Sequence, residues 1–332
     1  GVGLDLRSSR AELSFVEITE VAAEQGAPLP ADAGASVDAG VDVALVDAGV
    51  DGASTDAGEH DFMAADGGGA DLPPAPDLRL PPDLGPLDLA ARPDQAMATE
   101  ARFGVGLLVA QGSDVKASRL LISDCAAQGA LASASKLALS DSLIRDNAVY
   151  GLAVDCGGET CSRDQSEARI ERCELEGNGG VSLWARSSRV TVLESRIDKT
   201  RRLAGAELAR GIEVVRCELT LRDSEVTDSE AQGVVMHDSG GLLAGNSVRG
   251  NLERGVWLQR VAEPLRLEAN TIEENRRIGL GLFDAKQVVL DGGLVRGTEN
   301  LTSRDSMGET VTIGDGVDVL AGSEIEIRSV EI

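Results

Sequence analysis

A short motif returns along this chain: a glycine followed by an apolar, a variable and a second apolar residue. Its copies start at Gly1, Gly104, Gly129, Gly151, Gly180, Gly211, Gly233, Gly255, Gly279 and Gly316. From Gly104 the spacings are 25, 22, 29, 31, 22, 22, 24 and 37 residues, so longer units read as a 22-residue minimum plus an insertion. A recurring period in this range is the signature of a solenoid, whose units bury their apolar faces only by stacking. Within each unit apolar and polar residues alternate, which means strands, and no stretch has helical periodicity. Composition agrees: there are 39 Gly but only 4 Phe, 2 Trp and 1 Tyr in 332 residues, unlike an ordinary helical or α/β domain.

Aligned units expose columns. Four residues before the repeat glycine stand Cys125, Asn147, Ser229, Asn251 and Asn275. Ile122, Ile144, Val226, Val248 and Ile272 lie three residues earlier. A further column holds Ser142, Ser224, Asn246 and Asn270, to which Ser195 and Cys173 align. Residues at one place in successive coils stack about 4.8 Å apart. Asn suits a sharp corner because it tolerates left-handed backbone angles, and stacked Asn side chains can bond along the axis.

The pattern Ile144-x-x-Asn147-x-x-x-Gly151-Leu152-x-Val154 recurs at Val248/Asn251/Gly255 and at Ile272/Asn275/Gly279. It resembles the right-handed parallel β-helix repeat of pectate-lyase-like proteins. The resemblance covers residues 1–26 and about 101–332. It implies an all-β fold of three-stranded coils, and ten coils would make a rod about 45 Å long. The family includes polysaccharide lyases, hydrolases and epimerases as well as non-catalytic surface proteins, so the fold alone does not choose an activity.

Residues 27–100 differ from the rest. They hold nine of the ten prolines, and 13 Asp and 2 Glu against Arg79 and Arg92, a net charge of −13. Asp-Ala-Gly recurs at Asp32, Asp38, Asp47 and Asp56. Such a segment lacks the apolar surface to offset its chain entropy, and we read it as a disordered acidic linker. The domains are thus a first coil at 1–26, the linker, and the main β-helix at 101–332. The first residue is Gly1, and Ile325–Ile332 reads as strand to the last residue, so the sequence reads as a piece of a longer protein with its solenoid truncated at the C-terminal end.

Function is less legible. The net charge of −25 excludes a nucleic-acid partner, because the field repels phosphate. No run of 18 apolar residues occurs, so no helix spans a membrane. The Asn-Thr-Asp, Asp-Asp, Gly-His-Gly and Arg-Ile-Lys strings that the resemblance implies for a hydrolase are absent, as is the epimerase-type Asp-Pro-His-Glu. Insertions at 27–100, 200–210 and 297–315 fall at the corner before the repeat glycine. The family's groove lies over the first strand between long loops, so this distribution argues against a lyase groove. His237 precedes Asp238 and reads as a solvent-facing turn residue just past a strand. Cys156 and Cys161 bracket a four-residue insertion and form a disulfide candidate if the protein is exported. Cys125 and Cys173 read as small packing thiols, and Cys217 has no evident partner. No metal-ligand spacing or calcium loop is present, so no cofactor is expected; calcium, on the linker Asp residues or in a lyase site, is the one candidate.

One surface feature remains. Arg196, Lys199, Arg201, Arg202 and Arg210, with Arg249, Arg254, Arg276 and Arg277 in later coils, fall at one corner and would stack into a basic stripe. Glu230, Glu253, Glu273 and Glu274 are interleaved and can pair with it. The stripe is the candidate binding site, for an extracellular acidic polysaccharide or a surface protein. The scarcity of rings counts against broad sugar stacking. The reading is a secreted or bacterial cell-surface β-helix module, structural or polymer-binding. The alternative, a polysaccharide lyase or epimerase, requires carboxylates and an Arg or Lys to converge on one sheet.

Overall fold

The structure is a computed structural model and describes residues 2–19, 44–45, 104–158, 166–203, 208–261, 263–304 and 310–332. Three parallel sheets wrap one core. A coil contributes one strand to each: Gln128–Ser133 to sheet A, Lys136–Ser140 to sheet B and Leu143–Arg145 to sheet C. The next coil lies directly on it, with Tyr150 opposite Gln128 and Asp155 opposite Ser133. The chain is a right-handed parallel β-helix, and the described residues contain no helix.

Period-2 alternation fills the interior. Sheet A sends in pairs such as Leu152 and Val154, sheet B pairs such as Leu219 and Leu221, and sheet C one residue per coil, among them Ile144, Ile197 and Ile272. Burying each large aliphatic side chain stabilises the fold by about 1.5–3 kcal/mol. Sheet A breaks the alternation once per coil. Gly151 and Leu152 both face inward, so Tyr150 and Ala153 both face outward. The outer face of sheet A therefore carries three residues per strand: the one before the repeat position, and the second and fourth after it.

The corners explain the polar columns, and they revise one expectation. The left-handed residue is not the Asn but the one before it: Asp146 precedes Asn147, Asp228 precedes Ser229 and Glu274 precedes Asn275. The column residue is chosen for hydrogen bonding. Its side-chain oxygen accepts from the backbone N–H of the coil below: Ser229 N–H to Asn251 Oδ1 at 3.1 Å, and Asn251 N–H to Asn275 Oδ1 at 3.2 Å. Asn251 Nδ2 donates to Asn275 Oδ1 at 2.8 Å. Ser224, Asn246 and Asn270 repeat this scheme between sheets B and C. A serine column does so between sheets A and B, where Cys217 belongs: its N–H donates to Ser239 Oγ at 2.9 Å. Asn251→Ala orphans the buried Ser229 N–H and should lower the unfolding free energy by about 2 kcal/mol, read from urea titrations. An unchanged midpoint would show that the ladder is dispensable.

Strand pairing also corrects the repeat register. Gly106, not Gly104, pairs in the repeat position, and Ser182 stands where Gly180 was expected, because Tyr150 faces Val181 and Leu152 faces Leu183. Asn178 then joins the Asn column, and its Oδ1 accepts from Asn147 N–H at 3.2 Å. Ser182 is tolerated because its hydroxyl bonds Thr200 Oγ1 at 2.8 Å. Of the linker 27–100 only Ala44–Leu45 falls among the described residues, paired antiparallel with Ala11 and Glu12.

Candidate functional site

Among the described residues, four of the five aromatic rings lie on the outer face of sheet A: Tyr150, Trp184, Trp257 and Phe283. The fifth, Phe15, sits at a corner under the Arg119 guanidinium, 4.0 Å away. The outward rows run from Gln128 and Leu131 in one coil to Asp315, Asp318 and Leu320 several coils on. Among the described residues, Thr200–Leu203 and Leu208–Ala209 lie at the corner before sheet A, and Cys156–Gly158 and Ser166 lie at the corner after it.

At one end Tyr150 and Trp184 stack with planes 4° apart and centroids 5.6 Å apart. Beside them Arg186 makes a two-pronged bond to Asp155, at 3.2 and 2.9 Å. Toward the other end the Arg254 guanidinium lies 4.1 Å from the Trp257 ring centre, and Trp257 in turn lies over Gly281, where a Cβ would come within 2.4 Å of the ring. Val235, Ile278, Phe283 and Leu320 complete this apolar patch.

Between the two patches lies a charged group. Arg210 bonds Glu213, and His237 Nε2 stands 3.7 Å from Glu213 Oε1. His237 is the last residue of the strand Gln232–His237 and is only 9% exposed, so it is not the solvent-facing turn residue that the sequence suggested. Burial above all, then the charges of Arg210 and Arg260, push its imidazole down to about 4, and Asp238 and Gln259 only partly oppose them. The ring is thus neutral at neutral pH, and its approach to Glu213 is not an ion pair. Burial, then the charge of Arg277, lowers the Arg254 guanidinium to about 10, where it still keeps its proton at pH 7. Burial and the neighbouring Asp315 raise the Asp318 carboxyl.

Several buried polar atoms on this face lack a partner: Gln128 Oε1, Gln232 Oε1, Arg254 Nε and Arg277 Nε. Native interiors rarely leave such atoms unmatched.

The stripe residues divide. Arg196 contacts Asp198 and Glu174 at 2.8 and 3.7 Å. Lys199 reaches Glu176 and Asp198, and Arg201 reaches Asp146. Arg202 bonds Glu253 and the Glu230 carbonyl, and Arg276 bonds Glu299. Most of these side chains are half-exposed, so their pairs stabilise the fold little; Asp198 is the exception, fully buried beneath Arg196 and Lys199. Arg249 ends a sheet C strand with an exposed side chain. Arg210 and Arg254 instead belong to the outer face of sheet A, with Arg277 at its edge.

Sequence reasoning missed Gln128, Tyr150, Trp184, Glu213, Trp257 and Asp318. The signal was their fixed offset from the repeat position, but the register error at Gly180 hides Trp184. Cys156 is disulfide-bonded, whereas Cys161 lies outside the described residues. Cys125, Cys173 and Cys217 are buried thiols. No group of three His, Cys, Asp or Glu among the described residues is placed to hold a metal ion. No helix there is long and apolar enough to cross a membrane.

A family model described as a right handed beta helix region matches residues 160–332, and the chain belongs to that family. No curated protein matches it. Among solved structures, a double mutant of the periplasmic alginate epimerase AlgG aligns with 15% identity and a TM-score of 0.48, covering 73% of this chain and 54% of that one. The chain thus spans about half of that protein. The A-module of the Azotobacter vinelandii mannuronan C-5 epimerase AlgE6 aligns with 13% identity and a TM-score of 0.34, over 67% of this chain and 68% of that one. The Dettilon tailspike protein gp208 aligns with 11% identity and a TM-score of 0.29, over 57% and 47%.

Proposed function

We propose that this chain is a secreted or cell-surface β-helix module that holds an acidic polysaccharide along the outer face of sheet A. The observation that carries this reading is the gathering of nearly all described rings onto that one face, in a chain with so few rings. Ring faces stack on sugar C–H surfaces. Arg254 and Arg277, each with an unmatched Nε, supply planar donor forks suited to a uronate carboxylate. Gln232 supplies an acceptor for a hydroxyl. Lys199, Arg201, Arg202, Arg249 and Arg276 lie at the corner before this face, whereas Arg196 opens a sheet C strand; of these, Arg249 has an exposed guanidinium that can meet an acidic polymer.

A second reading, a lyase or epimerase, is favoured by one feature. His237 is a neutral, buried base beside Glu213 and Arg210, in an environment where an Arg can offset charge that develops on a carboxylate.

One experiment addresses both. The protein is incubated with alginate, polygalacturonate and hyaluronate, with and without calcium. Retention is measured by affinity electrophoresis, unsaturated product by ultraviolet absorbance, and C-5 inversion by proton NMR of the recovered polymer. The expected result is retention that falls at least tenfold in the Arg254→Ala/Arg277→Ala double variant. Retention untouched by that variant would move the site elsewhere. Product formation or inversion, lost in His237→Gln, would establish the enzyme reading.

A further inference from the structure

We propose that the Tyr150–Trp184 end of sheet A is a separate subsite for one uncharged pyranose ring, resting on the reading above that this face holds a glycan. Its floor is built and rigid. Tyr150 is buried and stacks parallel to Trp184, which is only partly buried and presents its ring outward. Trp184 sits opposite Ala153 in the adjoining strand. The apolar neighbours are Leu131, Val149 and Val181.

Polar groups frame the floor on two sides. The Arg186–Asp155 fork is partly buried, and the Arg186 guanidinium lies 5.8 Å from the Trp184 ring centre, at one end of the floor. On the other side Gln128 lies directly opposite Tyr150 in the adjoining strand. It is 4% exposed, and its Oε1 has no hydrogen-bond partner. A buried acceptor left open beside an aromatic platform fits a hydroxyl donor supplied by a ligand. The Arg186 and Asp155 charges cancel each other, so this end has no spare cation for a carboxylate. Arg254 and Arg277, about 14 Å or more along the rod at the strand spacing, do. The two ends thus select different sugar units: a neutral ring here, a charged one there.

The test uses calorimetric titration with neutral hexasaccharides of β-1,4-linked glucose, mannose and N-acetylglucosamine, and with oligouronate hexasaccharides. At least one neutral sugar should bind. Trp184→Ala should weaken that binding about tenfold, as expected for the loss of one ring stack, and Trp184→Phe should largely restore it. Gln128→Leu should weaken it without lowering the melting temperature, because the apolar isostere removes an unmatched buried acceptor. Neutral sugars that bind equally well to Trp184→Ala would overturn the subsite, and so would a large loss of thermal stability in Gln128→Leu. Uronates that bind through Arg254 with no neutral sugar bound would remove the subsite and leave the wider reading standing. No binding by any sugar would remove both.

Discussion

Gly233→Val is expected to lower the unfolding free energy by about 3 kcal/mol or more, or to prevent folding. The reason is space rather than backbone angle. A Cβ at Gly233 would meet the Gly255 carbonyl oxygen at 2.6 Å, Asn251 Nδ2 at 2.8 Å and Val248 Cγ1 at 2.9 Å. Two of these atoms belong to the backbone and the hydrogen-bonded ladder of the next coil, so neither can yield without breaking a bond. The methyl groups of valine add to the overlap. Gly158→Ala is the control: nothing lies within 4 Å of its Cβ position, and the change should stay within about 0.5 kcal/mol. Paired urea titrations decide the matter. Equal stability of the two variants would mean that the corner is loosely packed and that the repeat glycine has another cause.

The second large effect concerns pH. An unfolded imidazole titrates near 6.5, whereas folded His237 holds out to about 4. Between those values the unfolded chain binds a proton that the folded chain refuses. Stability at this site is therefore complete above about pH 6.5 and falls as pH drops toward 4, by about 3 kcal/mol in all. Below pH 4 both states are protonated and the loss stops growing. His237→Gln should remove this component, so the stability difference between wild type and variant should shift by that amount between pH 7 and 4. The cause lies in the groups around the ring: burial first, then Arg210 and Arg260, against Asp238 and Gln259. Parallel pH curves for the two proteins would show that the imidazole is solvated and would weaken its candidacy as a base.

Particular residues show how far the sequence reaches. The glycine period and the alternating Val, Leu and Ile announced a stacked three-stranded coil, because an interior of fixed width accepts the same residue types in every turn. The columns at Asn147, Asn251 and Asn275 were legible for the same reason. Their role was not: which residue takes the left-handed angle depends on where the corner turns, and it falls on Asp146 and Glu274. The register slipped at Gly180 because the Asn178 corner brings two glycines close to the repeat position. Only strand pairing showed that Ser182 occupies it.

The candidate site was less legible than the fold. The basic stripe was read as one surface from its place in the repeat. The structure distributes it between Arg196 at the start of a sheet C strand, ion pairs at the corner before sheet A, and Arg210, Arg254 and Arg277 at sheet A itself. Tyr150, Trp184 and Trp257 are scattered through the sequence and looked too few to matter. The sequence by itself determined the solenoid, its coil period and its inward rows, because these depend on residue size and alternation at short range. Only the tertiary structure decided which side chains meet on the outer face of sheet A. From Gln128 to Leu320 that face is assembled from strands 22 to 37 residues apart, and its register depends on insertion lengths and on the inward double step at each repeat position.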